Sequence, residues 1–112
     1  MDALEQWPTE PEEIKLYLCD LWLRKYPDQG CLPFYYSWVR KRVHISRIIC
    51  GKPGYRLSEE KVNGYIAQLL SGKSLAPLVC LYGELLDGYH RYGAYRDAGV
   101  FLDNIDIYLN KN

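Results

Sequence analysis

The sequence predicts a small α+β domain, in which helices pack on a mixed sheet and a helical extension precedes the domain. Two segments, 11–25 and 58–70, carry apolar residues at the three- and four-residue spacing of a buried helix face. A short apolar run at 78–82 and an alternating segment at 105–109 are typical of strands. The chain has 112 residues and 48% of them are hydrophobic, which suffices for one core.

The first predicted helix, at 11–25, defines the organisation of the chain. Thr9 followed by Glu12 has the form of a capping box. The apolar face of this helix consists of Ile14, Tyr17, Leu18, Leu21 and Trp22. That face either covers the sheet or forms a surface for a protein partner or a second copy. We therefore divide the chain into an N-terminal helical extension, residues 1–40, and a domain, residues 41–112.

The remaining elements are predicted in the order strand, helix, two strands, helix, strand. Val43, Ile45 and Ile48 indicate the first strand. Ser58 is expected to cap the second helix, which Gly72 closes. The later elements are a strand at 78–82, a returning strand at 85–86, a helix at 89–98 and a strand at 105–109.

The charge balance argues against a dedicated nucleic-acid-binding protein. Lys and Arg together number 14, as do Asp and Glu, so the formal net charge is zero. The segment 40–61 is nevertheless basic and interleaved with aromatic side chains. Candidate nucleic-acid contacts in it are Arg40, Lys41, Arg42 and Arg47, and the nearby aromatic residues are Tyr36, Trp38, His44 and Tyr55. The alternative interpretation is a solvated strand face.

The cysteines and the N-terminus indicate a cytoplasmic protein. The four cysteines, Cys19, Cys31, Cys50 and Cys80, show no zinc-ligand spacing, and the acidic N-terminus lacks the apolar core of a secretory signal. We therefore expect free thiols, packed as small buried hydrophobic side chains. The apolar runs are too short to span a membrane.

The densest chemistry lies in the segment 83–99, GELLDGYHRYGAYRDAG. A strand ends at Asp87, Gly88 turns the chain, and a helix begins with His90 and Arg91 in its first turn. The N–H groups of a helix start favour an anion, and Arg91 adds a bidentate contact to a phosphate. His90 is a candidate acid or base near neutral pH. In the alternative interpretation, Asp87 caps the helix and Arg91 is solvated or salt-bridged.

The segment DGYHRYGAYRDAG resembles the signature of the superfamily of ParB N-terminal domains and sulfiredoxins, which have GGCHRYAAY in the sulfiredoxin branch. The upstream order is similar as well: a V-x-I-x-x-I strand at 43–48, a helix at 58–70, a link ending in Pro77 and a strand at 78–82. The resemblance spans residues 41–112. It implies a ParB/sulfiredoxin-like fold.

This resemblance also implies a ligand, ATP or another nucleotide, whose phosphates rest on the helix start. The implied phosphate-binding residues are Lys61, Gly64, Gln68, Gly88, Tyr89, His90 and Arg91. Sulfiredoxins carry Ser and Thr where Gly64 and Gln68 stand, so those hydroxyl contacts are lost. Tyr89 occupies the position of the sulfiredoxin catalytic cysteine, and a phenol with a pKa of ~10 does not replace a low-pKa thiolate. We therefore do not expect sulfinic-acid reductase activity.

Three classes of function stay open. The first is a nucleotide-binding NTPase or phosphotransferase, with His90, Asp87 and Glu84 as candidate catalytic residues and Asp87 as a candidate ligand of Mg²⁺. The second is a ParB-like nuclease or DNA-binding module, which a steep salt dependence would reveal. The third is a phage- or plasmid-type interaction protein, such as an anti-restriction factor or inhibitor, that binds through the N-terminal helix and the aromatic stretch 34–38.

Overall fold

The computed structural model describes residues 7–51, 56–99 and 104–111, and these residues form an α+β fold as predicted. The α-helices of this part are α1 (Pro11–Lys25), α2 (Glu59–Leu70) and α3 (Tyr89–Asp97). Its strands are β1 (Trp38–Val43), β2 (Leu78–Leu81), β3 (Glu84–Asp87) and β4 (Ile105–Asn110). Short 3₁₀ turns lie at Pro27–Gln29, Leu32–Tyr35 and Ile45–Arg47. No helix among these residues is long and apolar enough to cross a membrane.

The four strands form one mixed sheet in the order β1-β4-β2-β3. The outer pairs, β1 with β4 and β2 with β3, are antiparallel, whereas the central pair of β2 and β4 is parallel. A parallel pair needs a crossover connection between its strands. The chain from β2 to β4 makes that connection through β3 and α3, which places the start of α3 directly after the end of β3.

Helices cover both faces of the sheet. On one face, α1 packs against the sheet through the buried cluster of Ile14, Leu18, Trp22, Trp38, Val79 and Tyr108. On the other face, α3 packs against the sheet through Tyr89 and Tyr95. The buried cluster on this face consists of Ile48, Leu75, Leu78, Cys80, Leu85, Tyr89, Tyr95, Ile105 and Ile107. Neighbours such as Val79 and Cys80 thus point to opposite faces, as the two-residue period of a strand requires. The apolar face of α1 covers the sheet, so that face is not a free partner surface.

The N-terminal helix has the predicted bounds, but its predicted capping box is wrong. Glu10 is the N-cap and makes no side-chain cap hydrogen bond, with Pro11 at the first helical position. Thr9 therefore lies one residue outside the cap. The ring of Pro11 supplies a helix-compatible φ, which starts the helix without a side-chain cap.

The first strand lies earlier in the chain than the sequence predicts. Strand β1 pairs with β4 from Trp38 opposite Asn110 to Val43 opposite Ile105, so it straddles the predicted boundary at residue 40. The predicted strand residues 45–47 form a 3₁₀ turn instead, because the His44 side chain accepts a hydrogen bond from the Ser46 N–H and caps that turn.

The later elements follow the predictions closely. Ser58 caps α2, and its hydroxyl accepts a hydrogen bond from the Lys61 N–H at 3.3 Å.

All four cysteines are free, as predicted, but only Cys80 is fully buried. Burial raises the pKa of the Cys80 thiol to about 12. Cys50 is exposed, which contradicts its predicted place in the core.

Candidate functional site

A buried carboxylate stands at the end of β3. Asp87 is 2% exposed. Its Oδ1 accepts hydrogen bonds from the Tyr26 hydroxyl at 2.7 Å and from Lys25 Nζ at 3.1 Å, and its Oδ2 accepts one from Arg91 Nη2 at 3.3 Å. A buried charge is costly unless it is paired and hydrogen-bonded. The two cations and the hydroxyl therefore stabilise Asp87 in the interior.

Gly88 makes the turn into α3 possible. Its φ is +105°, in the left-handed region that glycine adopts without strain. A Cβ atom at this position would lie 2.6 Å from Leu78 Cδ2 and 2.8 Å from Arg91 Nη2. The guanidinium thus lies directly across the turn. Gly88 is the N-cap of α3. The Asp87 oxygens accept hydrogen bonds from Lys25, Tyr26 and Arg91 instead of capping the helix, whereas the salt bridge of Arg91 in that alternative interpretation is present.

Arg91 is buried, and one of its N–H donors is unsatisfied within the described part of the chain. The residue is 9% exposed, and among the described residues its Nε has no hydrogen-bond partner. Buried N–H groups in folded proteins are nearly always paired. An acceptor entering the space beside the guanidinium would satisfy this donor.

His90 connects the beginnings of α2 and α3. Its Nε2 accepts a hydrogen bond from the Ser58 N–H at 2.9 Å. Desolvation lowers the pKa of His90 below its ordinary 6.5, and the nearby positive charges of Lys61 and Lys25 lower it further. The imidazole is therefore neutral at pH 7, with its proton on Nδ1.

These side chains surround one cleft of about 210 Å³. Its lining residues are Lys25, Tyr26, Lys61, Tyr65, Asp87, Gly88, Tyr89, His90 and Arg91. Three cationic side chains and one carboxylate, with the imidazole neutral, give the lining a net charge of +2. The positive end of the α3 dipole adds to this field. The cleft is therefore suited to an anion.

A second, larger cleft adjoins the first. It measures about 530 Å³, and its lining residues are Trp7, Tyr65, Gln68, Gly72, Lys73, Ser74, Leu75, Ala76 and Arg91. Tyr65 and Arg91 line both clefts, so the two are neighbours along a common wall. Aromatic and amide side chains of this kind can stack on and hydrogen-bond a planar heterocycle.

The structure brings most of the predicted phosphate-binding residues together. Lys61, Gly88, Tyr89, His90 and Arg91 line the first cleft. The Tyr89 hydroxyl donates to a backbone carbonyl of β3 at 2.9 Å, so this phenol is anchored in the fold. Two of the predicted residues lie elsewhere. Gln68 lines only the second cleft, and Gly64 lines neither.

Glu84 lines neither cleft, so the structure does not bring this predicted catalytic residue together with His90 and Asp87. It begins β3, whereas Asp87 ends that strand, and three residues of extended chain separate their Cα atoms by roughly 10 Å. Its carboxylate lies against Gly51, where a Cβ atom would overlap it. The antiparallel hairpin thus carries Glu84 to the opposite end of the strand from the cleft.

Asp87 does not fit the predicted role of a Mg²⁺ ligand. Both of its oxygens accept hydrogen bonds from Lys25, Tyr26 or Arg91, and two of these donors are cations. The described residues contain no group of three or more His, Cys, Asp or Glu side chains that could hold a metal ion.

Two of the arginines predicted to contact nucleic acid form intramolecular hydrogen bonds and salt bridges. Arg40 Nη2 lies 2.7 Å from Asp106 Oδ2, and its Nη1 donates to the Trp7 carbonyl at 3.0 Å. Arg42 donates to the Asn104 carbonyl at 3.2 Å and lies 3.6 Å from Asp106 Oδ1. Their positive charge is partly neutralised by a carboxylate on β4.

The aromatic residues predicted to contact nucleic acid are not all accessible. The Trp38 side chain is fully buried and donates to the Pro33 carbonyl at 2.9 Å, so it cannot stack on a base. Lys41 and Arg47 are exposed. Tyr55, which the prediction included, lies outside the described residues.

Three residues of the first cleft escaped the sequence analysis: Lys25, Tyr26 and Tyr65. Lys25 ends the first helix and stands 62 positions before Asp87, and nothing in the local pattern links them. The helical spacing of Val62, Tyr65 and Leu69 places Tyr65 on the apolar face of α2, which by itself indicates packing. Proximity in three dimensions is the signal that identifies all three.

The pH dependence of stability should reveal the low pKa of His90. Since the folded-state pKa lies below the ordinary 6.5, the unfolded chain binds more protons in the window just below that pH. The stability contributed by neutral His90 is present above pH 6.5 and is lost as the pH falls toward the folded-state pKa. Urea unfolding of wild type and His90→Gln from about pH 5 to about pH 7.5 should therefore show a steeper rise in wild type. Parallel curves would contradict the assignment; His44 is present in both proteins and cancels.

The fold and the cleft together define a class of protein: an α+β domain with a cationic cleft where a glycine turn leads into a helix. The fold is similar to that of a solved structure described as a Pnob8-like ParB-N domain, with a TM-score of 0.55 and 17% sequence identity. The match covers 67% of this chain and 30% of that chain, so it spans less than a third of that protein. No protein-family model matches the sequence, and no curated protein matches it significantly. The chain thus has a ParB-N-like fold, as its motifs predicted.

Proposed function

We propose that the cleft binds the phosphate groups of a nucleotide. The observation that carries this proposal is the buried guanidinium of Arg91, which lies across the glycine turn at the start of α3 and has an unpaired Nε. Phosphate oxygens are the acceptors that this fork of donors matches best. The helix start and Lys61 add positive potential on the same side.

The neighbouring cleft favours a nucleotide over a free phosphate ion. Because Tyr65 and Arg91 line both clefts, a ligand with its phosphates on Arg91 has its base and sugar next to Trp7, Tyr65 and Gln68. The indole and phenol rings offer stacking surfaces, and the amide offers a donor and an acceptor.

Turnover of the nucleotide is a further step of the proposal. Phosphoryl transfer depends mainly on positioning the phosphates and on neutralising their negative charge. The cations around Asp87 can neutralise that charge. Among the predicted acid–base residues, His90 and Asp87 lie in the cleft, and neutral His90 has the protonation state of a base. Phosphate release with and without Mg²⁺ is the measurement for this step.

The test is calorimetric titration of ATP, ADP, CTP and GTP, each with and without Mg²⁺. Arg91→Ala should weaken binding of the preferred nucleotide by about 1.5 kcal/mol or more, the scale of a hydrogen bond to a charged group. Lys61→Ala, on an exposed side chain, tests the same site without touching the core. Arg96→Ala removes an exposed cation from the other end of α3 and should leave affinity unchanged.

The outcome separates the proposal from its alternatives. If no nucleotide binds below millimolar concentration, the proposal is wrong. A nucleic-acid-binding module would instead bind oligonucleotides with affinity that falls steeply with salt and depends on Lys41 and Arg47. An interaction protein would show neither behaviour.

A further inference from the structure

The N-terminal helix delivers a cation to the cleft. Lys25, the last residue of α1, places its Nζ 3.1 Å from Asp87 Oδ1 and 3.5 Å from Oδ2. The side chain is 48% exposed and lines the cleft beside Arg91 and His90. The positive charge of Lys25 also helps to lower the pKa of His90, which agrees with this placement.

The two cations that pair with Asp87 differ in mobility. Arg91 is 9% exposed and confined between Gly88 and the carboxylate. Lys25 carries its ammonium on a long flexible stem with one side open to solvent. The Asp87 carboxylate would keep hydrogen bonds from Tyr26 and Arg91 if Lys25 turned away. Lys25 can therefore leave Asp87 without stranding a buried charge.

We propose that Lys25 is a specificity-determining residue that selects nucleoside di- and triphosphates over monophosphates. This inference rests on the proposed nucleotide-binding function. Arg91 holds one phosphate at the start of α3, and the ammonium of Lys25 turns from Asp87 to the next phosphate along the chain.

The net charge of the cleft lining supports these separate roles of Arg91 and Lys25. Without Lys25 the lining carries +1, which leaves a diphosphate less completely neutralised than a monophosphate, because each phosphate group brings roughly one to two negative charges. Loss of Lys25 should therefore weaken the binding of a diphosphate more than that of a monophosphate.

The test compares AMP, ADP and ATP, with inorganic phosphate and pyrophosphate as base-free probes, on wild type and Lys25→Gln. Lys25→Gln should weaken ADP, ATP and pyrophosphate about tenfold and AMP and phosphate less than about threefold, as loss of one charged hydrogen bond predicts. Lys25→Arg should restore most of the difference. Thermal unfolding checks that each variant is folded.

Arg24→Gln is the matched control, since Arg24 is the preceding residue of α1 and pairs with Asp20 on the surface. It removes the same charge and should change all five affinities equally and less than about twofold. If Lys25→Gln weakens mono- and diphosphates by the same factor, the selectivity proposal is wrong while nucleotide binding stands. If wild type binds none of the probes, both proposals are wrong.

Discussion

Replacing Asp87 by asparagine should destabilise the protein by about 3 kcal/mol or more. The carboxylate is 2% exposed and is the counter-charge of Arg91, itself 9% exposed. Removing one partner of a buried ion pair leaves the other charge desolvated without compensation, which typically costs about 3–5 kcal/mol. Asparagine keeps the shape of the side chain, so the loss measures charge rather than a cavity. Urea unfolding at pH 7 gives the free energy directly.

The chain contains a matched control for this experiment. Asp20 and Arg24 on α1 have the same four-residue spacing as Asp87 and Arg91, and their side chains are 69% and 65% exposed. Asp20→Asn should change stability by less than about 1 kcal/mol, since exposed ion pairs contribute little. Equal losses for Asp20→Asn and Asp87→Asn would show that Asp87 is not held as a buried counter-charge.

Replacing Leu18 by alanine should destabilise the protein by about 3 kcal/mol. Leu18 is fully buried between α1 and the sheet, and truncating a buried leucine removes apolar contact and leaves a cavity. Leu16, two residues earlier on the same helix, is 72% exposed, so Leu16→Ala should change stability by less than about 0.5 kcal/mol. Denaturant unfolding of both variants measures the difference.

This comparison tests whether α1 is part of the folded unit. If Leu18→Ala is as mild as Leu16→Ala, α1 is only loosely attached to the sheet. The result also bears on the cleft, because α1 carries Lys25 and its end leads into Tyr26, and both reach Asp87. A loosely attached α1 would not hold those two groups against the carboxylate.

The sequence by itself determined the elements whose signals are local. The apolar period of residues 11–25 predicted the bounds of α1, and Ser58 predicted the beginning of α2. The segment from Asp87 to Arg91 predicted a strand end, a glycine turn and a helix start, which the structure has. Each of these signals spans a few neighbouring residues, so neither a distant partner nor a sheet register was needed to interpret it.

Only the tertiary structure decided what depends on residues far apart in the chain. Strand β1 begins at Trp38 because pairing with β4 sets its register, and no local alternation marks that choice. Glu84 is carried away from the cleft by the hairpin, although it lies three positions from Asp87. Lys25 approaches Asp87 because α1 packs across one face of the sheet. A buried carboxylate needs counter-charges, but its sequence neighbours do not reveal which side chains the fold will bring to it.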